Sequence, residues 1–313
     1  MKHLFRTIAG ISTALMLAVP AAAEYPDQPI KVMVPYGAGG STDTSGRIFI
    51  EAMKKALGAE LFAVNVTGAG GTVGAAQAAS ENADGYSIFY TPIAPVTVQP
   101  HLRNLSYGEE DFTPICGLIQ NPLAVMVAPD SPYQTVQDLV DAARAGEEIV
   151  AVGTAPGSIP HITQAALANA YDITFKYVPV GGGPKQAAEI LSGRATISTD
   201  ILPTATLFGL RALAVISDER VDGFDVPTMA ELGVDVPTKH WFGVFAPAGT
   251  PEDAVAKLAD ACEVAAADPE LVEKLGGMNF AVRFRDRAEF TEFYASEFQG
   301  NRDLLKLIGI ELE

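Results

Sequence analysis

Short strand-like runs alternate with helix-like stretches along almost the whole chain, and this alternation constrains the fold more than any other feature. It predicts a parallel α/β architecture, because each helix can return the chain to the start of the next strand. Residues 30–36, 62–66 and 86–91 read as strands. Residues 44–57 carry helical periodicity that stops at Gly58, and an alanine-rich helix precedes the third strand. A second series starts with a strand at 123–127 and a helix over about 135–145 ending at Gly146. Strands at 149–153, 175–178, 195–199 and 212–216 follow. After a strand at 242–246 the pattern changes to helices beginning near Pro251, Pro269 and Asp286. The length fits either one large α/β domain or two of ordinary size.

Two of these strands end in glycine-rich turns that open helices. One is Pro35-Tyr36-Gly37-Ala38-Gly39-Gly40-Ser41-Thr42-Asp43, the other Val66-Thr67-Gly68-Ala69-Gly70-Gly71-Thr72-Val73-Gly74. A turn of this kind presents backbone N–H groups without intrahelical partners at the positive end of a helix dipole, which suits a small anion. Thr42 and Val73 stand where a G-x-G-x-x-G fingerprint needs its third glycine, and no Gly-Lys dipeptide occurs, so neither turn is a nucleotide motif. Both also fit plain strand-to-helix turns.

In the first turn Ser41 and Thr42 add hydroxyl donors to the N–H groups of Ala38, Gly39 and Gly40. Asp43 reads as a cap or loop brace, because an exposed carboxylate repels an anion. Tyr36 either walls a cleft or packs in the core. A third strand-to-helix turn, Gly153-Thr154-Ala155-Pro156-Gly157-Ser158, offers Ser158 both as N-cap and as donor, with His161 one turn on to orient the loop. Lys185 and Arg194 read as a solvated face, and Trp241, the sole tryptophan, as packing and not stacking on a ligand.

Residues 1–23 have the order of a cleaved export signal: Lys2 and Arg6, an apolar run of about a dozen residues, then Ala21-Ala22-Ala23. The run is shorter than the roughly 20 residues that span a bilayer, so no direct membrane insertion is expected. The signal holds two of the 21 Lys+Arg and none of the 38 Asp+Glu, which leaves the mature chain near −19. Such a field disfavours nucleic acid and anionic membranes, and leaves an anionic ligand to local dipoles. The two cysteines, Cys116 and Cys262, read as free and buried ahead of a disulfide. His101, His161 and His240 are isolated, so no metal site is expected. No G-x-S-x-G elbow occurs, and Ser158 with His161 makes a poor triad, so no catalytic residue and no cofactor is expected.

In context the turns become specific. Tyr25-Pro26-Asp27-Gln28-Pro29-Ile30, the 35–43 loop with Arg47, and Gly68-Ala69-Gly70-Gly71 resemble the Bug/TctC family, periplasmic solute-binding proteins of tripartite tricarboxylate transporters. The likeness continues through Ala83-Asp84-Gly85-Tyr86, Asp111-Phe112-Thr113-Pro114-Ile115, Gly157-Ser158-Ile159-Pro160-His161 and Leu210-Arg211-Ala212-Leu213. It closes in Val226-Pro227-Thr228-Met229 and Trp241-Phe242-Gly243-Val244-Phe245-Ala246-Pro247-Ala248-Gly249-Thr250-Pro251. The resemblance implies the two-lobed α/β periplasmic binding protein fold, with lobe 1 from residues 24–122 and 242–313 and lobe 2 from 123–241. It further implies a small carboxylate, di- or tricarboxylate first, held in the cleft of a monomer that docks on integral membrane subunits. The glycine triplet around Gly182, Asp200 and a cleft-facing loop at Thr91-Pro92-Ile93-Ala94-Pro95-Val96 then join the lining. That last run departs from the small, polar residues usual in the family. The alternatives are a binding protein that feeds a sensor and an exported hydrolase.

Overall fold

The structure is a computed structural model that describes residues 25–217 and 219–310; the export-signal segment lies outside the described residues. In chain order, β1 (Ile30–Val34), α1 (Ser41–Leu57), β2 (Leu61–Asn65), α2 (Thr72–Ala79) and β3 (Ser87–Pro92) come first. Two short helices, α3 (Ile93–Thr97) and α4 (Gln99–Leu102), lead to the long strand β4 (Phe112–Asn121). The second series is β5 (Leu123–Val127), α5 (Val136–Arg144), β6 (Val150–Gly153), α6 (Ile159–Tyr171), β7 (Lys176–Pro179), α7 (Gly183–Leu191), β8 (Ile197–Ile201), α8 (Leu202–Phe208) and β9 (Arg211–Ile216). The chain ends with β10 (His240–Pro247), α9 (Glu252–Ala266), α10 (Pro269–Gly277), β11 (Val282–Arg285) and α11 (Arg287–Leu307).

Two sheets form, ordered β11-β4-β10-β3-β1-β2 and β7-β6-β8-β5-β9. The α/β alternation is as expected, and both sheets are mixed, each with parallel pairs joined to antiparallel ones. β1 pairs in parallel with β2 and β3, and β6 with β7 and β8. Besides the edge strand β11, which runs antiparallel to β4, the antiparallel member in each sheet is a crossing strand. β5 follows β4 after the single residue Pro122 and enters the second sheet antiparallel to β8 and β9; β10 returns antiparallel to β3 and β4. A strand that arrives directly from the other sheet, with no return helix, is free to run against its neighbours.

Local rules explain the elements that hold the glycine turns. In α1 the residues Phe49, Ile50 and Met53 recur at helical spacing and are buried, each worth roughly 1.5–3 kcal/mol. The helix stops where Gly58 turns left-handed (φ 64°) and its N–H bonds Lys54 O. In β5 the alternation of a strand shows directly. Leu123, Val125 and Val127 face the large core, while Ala124 and Met126 join Val152, Ala187 and Leu202 in a second cluster on the opposite face.

Three expectations are corrected. The cysteines are not free: Cys116 on β4 and Cys262 on α9 form a disulfide with Cα atoms 6.6 Å apart. Packing α9 onto the sheet that holds β4 brings together residues 146 positions apart, which no local pattern reveals. Residues 91–96 are not a loop but the buried junction of β3 and α3. Prolines are tolerated here because they sit at the helix cap and in its first turn. β4 itself was not expected, because Pro114 and Gly117 interrupt its pattern. Gly117 pairs with Gly243 across the sheet, and α11 lays Phe290 on the bare backbone of both: a Cβ at Gly243 would lie 2.1 Å from its ring.

Candidate functional site

Each glycine turn stands at the end of a parallel strand and opens a helix without a side-chain cap: Gly40 before α1, Gly71 before α2, Ser158 before α6 and Gly182 before α7. That shared geometry leaves first-turn N–H groups directed outward.

In the first lobe the turns are braced from behind. Asp43, buried at the start of α1, accepts from Gly39 N (2.9 Å), Asn65 Nδ2 (2.9 Å) and Arg47 Nε (3.0 Å). Desolvation alone would raise its carboxyl; the bonds from Arg47, Gly39 and Asn65 outweigh that and hold it below the usual carboxylate range. Asp43 is thus the brace that the sequence suggested. Tyr36 is committed in the same way: its hydroxyl donates to Gly70 O (2.9 Å), and Asn65 Nδ2 donates to its carbonyl (2.8 Å). Burial pushes that phenol up. What remains exposed is the loop itself, Ala38, Gly39, Gly40 and Ser41. Thr42 is buried beneath it, and Thr91 is fully buried with its hydroxyl donating to Pro92 O at 2.9 Å.

The second-lobe turns are braced by neutral or titratable groups. Gly157 N donates to His161 Nδ1 (3.1 Å), Ala155 N to Ser158 Oγ (3.3 Å), and Tyr177 Oη to Ala155 O (2.9 Å). Tyr177 also packs on the His161 ring, with centroids 4.2 Å apart. Burial lowers the His161 pKa and raises Tyr177 to about 12. His161 therefore orients the loop, with Nδ1 engaged by backbone and not by Ser158. Thr154 accepts weakly from Gln186 Nε2 (3.3 Å), which also reaches Asp200 Oδ2 (2.9 Å) and Gly181 O (3.1 Å). Asp200, partly accessible yet deep among protein atoms, has its carboxyl raised to about 6 by desolvation. Gly182 caps α7 and is exposed.

Arg194, just past α7, pairs with Glu189 of that helix (2.6 Å) and is not turned to the loops, whereas exposed Lys185 folds over the glycine triplet, its Nζ 3.8 Å from where a Cβ at Gly181 would stand. Trp241 is core, packed on Phe290 and Phe293 with its indole N–H on Glu297. The bracing residues Asn65, Tyr177 and Gln186, and Gln99, were not found from the sequence. Each is an isolated polar residue whose partner lies far along the chain. The signal present was a polar residue inside an otherwise apolar run, as at Asn65. Among the described residues no group of three or more His, Cys, Asp or Glu is arranged to hold a metal ion.

Comparison with known proteins places these loops in context. Residues 46–310 match the family model described as tripartite tricarboxylate transporter family receptor, TctC. A UPF0065 protein from the TAR-I ttuE-ttuC' intergenic region of Agrobacterium vitis is 31% identical over 293 residues, covering 90% of this chain and 85% of its own. The periplasmic binding protein BugD superposes with a TM-score of 0.82 at 27% identity, covering 92% of this chain and all of that one. The same fold, at 24% identity and covering 90% of this chain and all of that one, occurs in MatC of Rhodopseudomonas palustris, solved with bound malate (TM-score 0.80).

Proposed function

We propose, because this chain belongs to the Bug/TctC family of tripartite tricarboxylate transporter receptors, that it captures a small di- or tricarboxylate between two lobes and delivers it to membrane subunits of such a transporter. Lobe 1 comprises residues 24–122 and 242–313, and lobe 2 residues 123–241. The observation that carries this is the exposed loop Ala38 to Ser41, braced by Asp43 through the Gly39 N–H and by the Gly40 N–H on Gly37 O, which leaves the N–H groups of Ala38 and Ser41 for a ligand. Two N–H groups on a preorganised turn, with the Ser41 hydroxyl beside them, suit a carboxylate without a cation.

In the facing turn the N–H groups of Ala155, Gly157 and Ser158 are spent on its own braces, so the facing backbone donors are Thr154 and Gly182. Ser41 and Ser158 add hydroxyls, while His161, Tyr36, Thr42 and Thr91 shape the lining from behind. Asp200 accepts from a ligand hydroxyl, amine or bridging water. Lobe closure is driven by contacts made only when both loops hold the ligand. The disulfide and the acidic, export-signal-bearing chain support a periplasmic location with cleavage after Ala23. N-terminal sequencing of exported protein should begin at Glu24.

A thermal-shift panel tests the ligand class. At a hundredfold excess over Kd a ligand stabilises by about 2.7 kcal/mol, or several degrees at roughly 2–4 °C per kcal/mol. Malate, citrate and C4 to C6 dicarboxylates should shift the melt more than monocarboxylates. Shifts from sugars or neutral amino acids alone would overturn the assignment.

A further inference from the structure

One contact between the lobes has no part in the capture described above. Gln99, the first residue of α4, is 1% exposed, and its Nε2 donates to Gly157 O at 3.0 Å. The bond joins the segment between β3 and β4 of the first sheet to the turn between β6 and α6 of the second. The amide has one sensible orientation, because reversing it would set its oxygen against the Gly157 carbonyl.

The seam around it is tight. A Cβ at Gly157 would lie 2.4 Å from Leu102 Cδ1, one turn along α4, and 2.9 Å from Gln99 Nε2; a Cβ at Gly70 would lie 3.7 Å from the same nitrogen. Gly157 also has φ +71°, which a side chain would resist. The Gln99 amide thus sits between a glycine turn of one lobe and a glycine turn of the other. Its Oε1, meanwhile, is buried without a partner. One neutral hydrogen bond is gained and one acceptor is stripped of water, effects of similar size and opposite sign. A contact that bridges the lobes and is balanced in this way joins them without locking them.

We propose that Gln99 is an interlobe latch, a positioning residue that sets the open–closed balance through the Gly157 carbonyl. This rests on the assignment of the cleft as a binding site. A change that acts only on closure weakens every ligand by one common factor, whereas loss of a direct ligand contact discriminates between ligands.

The test is calorimetry on Gln99→Glu and Gln99→Met with two dicarboxylates of different length, joined to small-angle scattering of the ligand-free proteins. Gln99→Glu sets a carboxylate against the Gly157 carbonyl and should weaken both ligands equally, by about tenfold or more. Its ligand-free radius of gyration should exceed that of the unaltered protein. Gln99→Met loses the bond and the orphaned oxygen together and should stay within about threefold. If Gln99→Glu does not fold, Gln99→Asn, one methylene short of Gly157, replaces it with the same expected direction. Unchanged scattering, unchanged affinity, or a loss confined to one ligand would overturn the latch. If no carboxylate binds even the unaltered protein, the ligand assignment falls, and scattering alone then decides for or against the latch.

Discussion

The two lobes hold the same kind of glycine turn by different means. In the first, a carboxylate buttressed by an arginine and an amide fixes the loop, and a disulfide ties β4 to α9 in the sheet behind it. In the second, the braces are an imidazole, a phenol and an amide, and the one carboxylate nearby is raised towards neutrality. The first lobe is therefore built as a fixed platform, the second as the part whose braces respond to solvent conditions.

The platform is broken most severely by removing its crosslink. The bond closes a loop of 146 residues that contains the whole second sheet. The chain-entropy estimate for such a loop is about 4–5 kcal/mol. Replacing Cys116 and Cys262 together by Ala should lower the melting temperature by roughly 10–20 °C. A drop of only a degree or two would show that the platform is held by packing alone.

Next in size is Gly243→Ala, which drives a methyl into the Phe290 ring. Overpacking of this kind costs about 1–3 kcal/mol, to be read from denaturant midpoints. The same substitution at Gly37, where nothing lies within 4 Å, should be tolerated. The loop braces themselves separate the lobes further. Asp43→Ala strands the Asn65 amide and the Gly39 N–H, at about 1–3 kcal/mol, whereas His161→Ala strands one N–H at about 1 kcal/mol. Equal losses would erase the contrast between a charged and a neutral brace.

How much of this was legible in the sequence follows from how local each cause is. The α1 boundary at Gly58 and the role of Asp43 were readable because their causes lie within a few residues. Strand β4 was not, because its Gly117 makes sense only under Phe290, more than 170 positions on. The disulfide and the Gln99–Gly157 contact were hidden for the same reason: tertiary packing, not local pattern, creates the pairing. Hydroxyl exposure was misjudged too. Ser41 and Thr42 look equivalent on paper, yet the first turn of α1 points one outward and buries the other.

The smallest expected effect concerns pH, and it sharpens the comparison because, among the loop braces and the carboxylates beside them, only those of the second lobe should respond between pH 5 and 7. Burial raises Asp200 from an ordinary value near 3.9 to about 6. Its contribution to stability is fully present below the unfolded value and is lost as pH rises through 6. Burial lowers His161, so its contribution has the opposite sign: present above about 6.5, and lost as pH falls below that. Asp43 is held below its ordinary value, so its contribution stays intact throughout this window and is lost only at lower pH. Asp200→Asn should therefore remove a gain of about 1 kcal/mol or less on going from pH 7 to pH 5, the figure being discounted for partial exposure. It should leave the losses from His161, His101 and His240, all lowered by burial, standing, so the variant becomes less stable than the unaltered protein at pH 5 relative to pH 7. Urea midpoints at the two values measure this directly. An identical pH dependence in both proteins would show that Asp200 is solvated enough to titrate as it does in the unfolded chain, and that the second lobe is no more responsive than the first.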